Sequence, residues 1–335
     1  MQDTHIGLAH GNGGRFMHEL IEEVFGASLA NPDLDTSSDA AIVPALPEGS
    51  LLMSTDGFIV QPLEFPGGNI GSLAAHGTIN DLAVAGADPL YFSLNCFIEE
   101  GLELAVLTRV IHALAKATAE SGVRVIAGDT KVLPRGEGSG ISLATTGIGV
   151  KPHGVELGMD LVEDGDQVLV SGPVGDHGIA VMLAREQFGL RGDLLSDAAS
   201  VLPLTRSVRN LPGVRFMRDP TRGGLVTVAH EINRASGLQV RLAGPDIPVR
   251  DPVRSVCEML GYDPYYLACE GRVVAVVAPD TVDTVLSQWR SLPEGRDAVR
   301  IGELTSGRHA VVMSTEIGGE RMLEQLEDDP LPRIC

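Results

Sequence analysis

Tyr91-Phe-Ser-Leu-Asn-Cys-Phe-Ile98 and Val123-Arg-Val-Ile-Ala127 are short apolar runs on either side of a long stretch, 102–121. The runs have strand length and strand composition, and the stretch between them has helical length. Working outward, the loop Pro66-Gly-Gly-Asn-Ile-Gly71 leads into a small-residue helix that continues through 87. Further upstream, 40–43 and 51–60 read as strands, and Leu20, Ile21, Val24 and Phe25 share one helical face. Downstream, 141–150 reads as a strand, and a second series begins after Lys151-Pro152. There 167–171 reads as a strand, 172–178 as a turn and 179–188 as a helix. A strand at 214–217 leads through Arg218-Asp-Pro-Thr-Arg-Gly-Gly224 into a helix ending at 235, with Asp219 and Thr221 as candidate starting residues. The pattern closes with strand, helix and strand at 273–278, 282–292 and 298–304. Strands and helices intermix throughout, which predicts two mixed α/β domains with a boundary near 150–160.

Bulk composition agrees. A chain of 335 residues exceeds one ordinary core, and 44% apolar residues suffice to fill two. Only 4% of residues are aromatic while 40 are glycine, which suits tight turns better than a stacking surface. A net charge of -20 argues against nucleic acid or an anionic membrane as partner. It leaves a nucleotide open, because a bound cation reverses the local sign around carboxylates. Cys96, Cys257, Cys269 and Cys335 form no zinc-like spacing, and neither a signal peptide nor a membrane span is predicted. A reducing cytoplasm fits best, and there a lone thiol stays free to react. The ending Asp328-Asp-Pro-Leu-Pro-Arg-Ile-Cys335 carries two prolines and predicts an extended, mobile tail with its thiol at the tip.

The P-loop pattern and the complete dinucleotide fingerprint are both absent from the sequence. What remains are glycine-rich turns with acidic residues. His10-Gly-Asn-Gly-Gly14 suits phosphate contact, although it reads equally as a plain helix start. Asp39, Asp56, Asp81 and Asp129 offer hard oxygen ligands for magnesium, although each alone is more often a turn or cap residue. Lys131 is one of three lysines against 22 arginines, so a specific ammonium contact is favoured over a default basic residue. Arg222 offers a donor fork to a phosphate, whereas a structural turn explains Pro220 and the glycines as well. Glu270, just ahead of an apolar strand, is a candidate base with a raised pKa. Its neighbour Cys269 reads as a small core residue.

Together these residues resemble the HypE family of carbamoyl dehydratases, which serve [NiFe]-hydrogenase maturation. That family belongs to an ATP-binding superfamily with aminoimidazole ribonucleotide synthetase and selenophosphate synthetase. The likeness rests on His10–Gly14, Ser54-Thr-Asp56, Phe65 to Gly71, Asn80-Asp81, Gly128-Asp-Thr-Lys-Val132, Gly175-Asp-His-Gly178, Arg218 to Gly224 and Pro332-Arg-Ile-Cys335. The last is the most specific. Asn12 stands where the family usually has serine, and Cys269-Glu-Gly-Arg272 where it often has Asn-Glu-Gly-Lys.

The resemblance implies an α/β (mixed α+β) chain with the two-domain aminoimidazole ribonucleotide synthetase-like fold and a flexible C-terminal tail. It divides into an ATP-binding and dimerisation domain at 1–155, an α/β domain at 156–315 and a tail at 316–335. It implies ATP and Mg2+ as cofactors, with Asp39, Asp56, Asp81 and Asp129 toward the metal. Gly11, Gly13, Gly14, Asn69, Asn80, Thr130 and Arg222 would face the nucleotide, and Lys131 and Glu270 would act on a carbamoyl group carried by Cys335. The implied partners are the carbamoyltransferase HypF, the HypC–HypD iron-cyanide assembly scaffold and a second copy of the chain. Two rivals remain. Selenophosphate synthesis expects a reactive cysteine near the N-terminal glycine loop, and the first here is Cys96. A thiol-presenting scaffold would need no ATP.

Overall fold

The computed structural model describes residues 3–38, 40–185 and 192–326. The chain divides into two compact units after Pro152, with Ala83–Gly86 grouped with the second.

In the first unit, helix α1 (Arg15–Leu20) continues through a π-helical turn, Ile21–Gly26, and a last α turn, Ala27–Leu29. Strand β1 (Ser50–Phe58) and helix α2 (Ile70–Val84) follow, then β2 (Asp88–Glu99), helix α3 (Leu104–Glu120), β3 (Arg124–Leu133) and β4 (Ile141–Lys151). The sheet order is β1-β4-β2-β3. β2 and β3 are parallel, joined through α3, and the other pairs are antiparallel. Buried Leu107, Val110, Ile111, Leu114 and Ala117 repeat at helical spacing and give α3 its inward stripe. α2 lies deeper, and its Thr78 hydroxyl meets that of Thr145 in β4 at 2.5 Å. The opposite face of the sheet is open. Leu51 and Met53 of β1, with Ile59 just past it, are more than half exposed, and Phe97 of β2 is 40% exposed.

The second unit holds β5 (Gln167–Val170), α4 (Asp176–Ala184), α5 (Leu202–Val208), β6 (Val214–Arg218) and α6 (Gly224–Ser236). Next come β7 (Gln239–Ala243), α7 (Asp251–Leu260), β8 (Val274–Val277), α8 (Val282–Arg290), β9 (Val299–Thr305), β10 (Val311–Ser314) and β11 (Glu320–Met322). Its seven-stranded sheet runs β11-β10-β7-β9-β5-β8-β6. All four residues of β8 are buried, as befits an inner strand covered on both faces. Leu225, Val228, Ala229 and Ile232 of α6 pack into the core beneath. Among the described residues no helix is long and apolar enough to cross a membrane.

Most positions in the sequence reading match and four differ, while α5, α7, β7, β10 and β11 have no counterpart in it. Residues 41–47 form no strand: Pro44 and Pro47 lack ladder donors, and Ile42 is 86% exposed. β3 continues through Gly128-Asp-Thr-Lys131 rather than ending at Ala127, because pairing with β2 continues to Leu133. α4 starts at Asp176, inside the expected turn. α6 starts behind Gly223, not at Asp219 or Thr221, whose carbonyl and amide instead close a turn at 3.0 Å.

Candidate active site

The continuation of β3 decides how its motif is displayed. Two residues apart on a strand, Asp129 and Lys131 share a face, and Lys131 Nζ lies 2.9 Å from Asp129 Oδ2. Thr130 points the other way and is buried. The loop His10–Gly14 packs beside this strand. A Cβ on Gly11 would sit 2.9 Å from Val132 Cβ and 3.0 Å from the Val132 amide, so only glycine lets the loop come so near. Gly13 adopts φ +78°, and the Gly14 amide donates to Asn12 Oδ1 at 3.1 Å as α1 begins.

Between α1 and β3 is a cavity of about 460 Å³. Its wall is apolar, with Met17, Phe25 and Leu94, and its polar lining includes Asp35, Thr36, Ser38, Asp129 and Thr130. This volume, one apolar wall and a few polar groups suit a small-molecule site. Bonds from the Ser37 and Ser38 hydroxyls hold the Asp35 carboxyl down at about 2, so it stays ionised. Asp39 lies outside the described residues.

The remaining aspartates divide between the two faces of the sheet. Asp56 is in register with Thr145 and, across β4, with Leu94, on the helix-covered side. Asp129 is in register with Asn95, Ala144 and Gly57, on the open side. Asp81, on α2, accepts from Ser54 Oγ at 2.6 Å, and Ser54 shares the Asp56 face. Among the described residues no three His, Cys, Asp or Glu side chains converge as a metal cage. Magnesium seldom needs one, being held by one or two carboxylates with the rest of its shell from phosphate and water. Asp56 and Asp81, on one face, thus fit an ion that arrives with a nucleotide, whereas Asp129 lies on the other face and does not join them. Asn80 is buried in α2. Asn69 caps that helix, its Oδ1 accepting from the amides of Gly71 (2.9 Å) and Ser72 (3.1 Å).

In the second unit Arg222 is exposed in the loop ahead of α6. The Pro220 carbonyl of that loop accepts the Cys269 amide at 2.9 Å, which places the Glu270 segment alongside. Glu270 is 3% exposed. Cys269 is fully buried, and burial pushes its thiol well up, which keeps it a core residue rather than a nucleophile. The segment after β11 returns to the same loop. Leu323 is buried, and its carbonyl meets His230 Nε2 at 2.9 Å. The Tyr266 hydroxyl donates to the Glu324 carbonyl (2.7 Å), and Arg234 reaches Gln325 (2.9 Å). Leu326 then lies against Gly223, 3.7 Å from where its Cβ would stand. Cys335 lies outside the described residues.

Models of the AIR synthase related protein family match both parts, the N-terminal domain at 37–151 and the C-terminal domain at 163–314. The carbamoyl dehydratase HypE of Azotobacter vinelandii is 44% identical over 337 residues, covering 100% of this chain and 98% of that protein. The chain belongs to the HypE family of carbamoyl dehydratases. Its fold superposes on a crystal structure of the hydrogenase maturation protein HypE in complex with ATP, with TM-score 0.93 and 40% identity over 98% of this chain and 99% of that one. A crystal structure of a HypE–HypF complex matches with TM-score 0.80 and 39% identity over 92% of this chain and 99% of that one.

Beside Glu270, sequence reasoning missed a set of buried charges. Asp176, Asp197 and Arg272 come from segments 21 and 75 residues apart, so no local pattern announces their meeting. Gly175-Asp-His-Gly178 and Cys269-Glu-Gly-Arg272 are each visible as motifs, but neither shows that they meet, and the segment with Asp197 carries no motif. His177, also fully buried, meets Ser196 Oγ at 2.8 Å.

Proposed function

We propose that this HypE-family chain carries a carbamoyl group on Cys335 and uses ATP to dehydrate it to a thiocyanate, supplying cyanide ligands for [NiFe]-hydrogenase iron. The observation that carries this reading is the return of the chain to Gly223, beside the loop that holds the Cys269–Glu270 segment. Cys335 is nine residues beyond Leu326, a covalent reach of about 30 Å. That is ample for a thiol to visit Glu270.

The reaction needs ATP because an amide oxygen is a poor leaving group. The carbamoyl oxygen attacks the γ-phosphorus, ADP leaves, and one N–H proton is lost, giving an imidate phosphate on sulfur. The second N–H proton then passes to Glu270 as the C–O bond breaks, leaving S–C≡N and phosphate. The cavity of the first unit supports a nucleotide, with the Gly11–Gly14 backbone and Thr130 toward its phosphates. Arg222 is a further candidate phosphate ligand. Lys131 would offset charge on the transferring phosphoryl group. Asp56 with Asp81 would hold one magnesium ion and Asp129, on the other face of the sheet, a second, with Asp39 a further candidate ligand; magnesium neutralises phosphate charge when bound. Water must be kept out, since the activated intermediate hydrolyses.

The carbamoyl donor would be a HypF-type transferase and the acceptor a HypC–HypD scaffold. A second copy of the chain would cover the open face that exposes Leu51, Met53 and Phe97. Intact-mass spectrometry with the transferase, carbamoyl phosphate and ATP tests the chemistry. The carbamoylated chain is expected to lose one water only when ATP is present. A Cys335→Ser chain that still made thiocyanate would sink the reading.

A further inference from the structure

Three buried charges next to Glu270 have no part in the chemistry above. Asp176, the first residue of α4, is 2% exposed, and the Asp197 carboxylate is fully enclosed. Both face Arg272, two residues beyond Glu270. Its Nη2 lies 3.5 Å from Asp176 Oδ2 and its Nε 3.4 Å from Asp197 Oδ2, while Nε also donates to the Pro173 carbonyl at 2.9 Å. Arg250, half exposed, approaches Asp176 Oδ2 at 2.9 Å.

The second oxygen of Asp197 connects this cluster to Glu270. Asp197 Oδ1 accepts the Glu270 amide at 3.1 Å, and the Ala199 amide donates to the Glu270 carbonyl at 3.4 Å. Gly271 completes the grip, since any Cβ there would collide with the Asp197 carbonyl. The backbone at Glu270 is therefore pinned on both sides to 197–199. Arg272 ties that segment to the start of α4.

Such an arrangement is a poor way to gain stability. Two enclosed carboxylates lean on Arg272, with the half-exposed Arg250 beside only one of them, and among the described residues Asp176 Oδ1 has no hydrogen-bond partner. Well-packed apolar groups of the same volume do as well or better in stability, so buried charge of this kind is better explained by geometry than by strength. We propose that Asp197 and Arg272 are positioning residues for Glu270: they act through its backbone to aim its carboxylate during dehydration. The proposal rests on Glu270 being the base.

The test uses the full chain, the transferase, carbamoyl phosphate and ATP, with loading of Cys335 and its dehydration timed separately by intact mass. Arg272→Met is expected to slow dehydration by about ten- to a hundredfold, the scale of an ångström's misplacement, with loading and the KM for ATP within about twofold of the parent. Arg272→Lys, which keeps charge without the fork, should recover part of the loss. Parent-rate dehydration by Arg272→Met overturns the proposal, as does equal slowing of loading and dehydration, the mark of a merely structural role. If Arg272→Met does not fold, the near-isosteric Asp197→Asn is judged by the same two rates. Glu270→Gln separates the two ideas. If it dehydrates at the parent rate, the base reading fails; if it stops while Arg272→Met runs freely, only the positioning role fails.

Discussion

Asp176 shows how one carboxyl can work against the fold that contains it. Burial, then the nearby Asp197, pushes it up to about 6 from 3.8, against the pull of Arg250 and Arg272. A raised carboxyl means that ionising it costs the folded state more than the unfolded one. The penalty is full above about pH 6 and fades as the pH falls toward 3.8. Asp176→Asn cannot ionise, so its stability relative to the parent should be more favourable at about pH 7 than at about pH 4.5. Thermal melts of both proteins at the two pH values check this, and a difference that stays constant or reverses would show that Asp176 does not titrate in that window. At this scale the sequence was a partial guide. It marked Lys131, the aspartates and Glu270 by type, but it could not show that Asp129 and Lys131 touch while Asp56 faces the other side. That distinction depends on strand register, which long-range pairing sets.

At the scale of elements, the βαβ run from β2 to β3 was readable because apolar runs of strand length flank one strongly periodic helix. β3 beyond Ala127 was not, since Gly128-Asp-Thr-Lys131 has the polarity of a loop and stays extended only through its ladder with β2. The short strands β7, β10 and β11 span only five, four and three residues, too few for a period to register. β1 presents a different problem: an edge strand that shows Leu51 and Met53 to solvent invites pairing or coverage. If a second copy covers it, Met53→Asp should weaken self-association by about tenfold or more, measured by sedimentation over a concentration series. An unchanged association constant would place the contact elsewhere on the chain.

For the whole molecule, the proposed chemistry depends on the number of residues between Leu326 and the Cys335 thiol. Removing residues 328–331 leaves five residues beyond Leu326, a reach of about 17 Å. That chain should still be stabilised by ATP in a thermal-shift assay while its dehydration rate falls by about tenfold or more. Parent-like dehydration by the shortened chain would mean that the thiol works close to Leu326.

The bonds from His230, Tyr266 and Arg234 that hold residues 323–325 have a kinetic meaning. Under the proposed function, a cargo on Cys335 therefore stays within the volume set by nine residues' covalent reach of Leu326. One thiol in such a volume corresponds to an effective concentration on the order of 10 mM. If Cys335 carries the carbamoyl group as proposed, a loaded molecule meets its own site at that concentration however scarce the protein is in the cell. Dilution cannot part the cargo from the machinery that converts it.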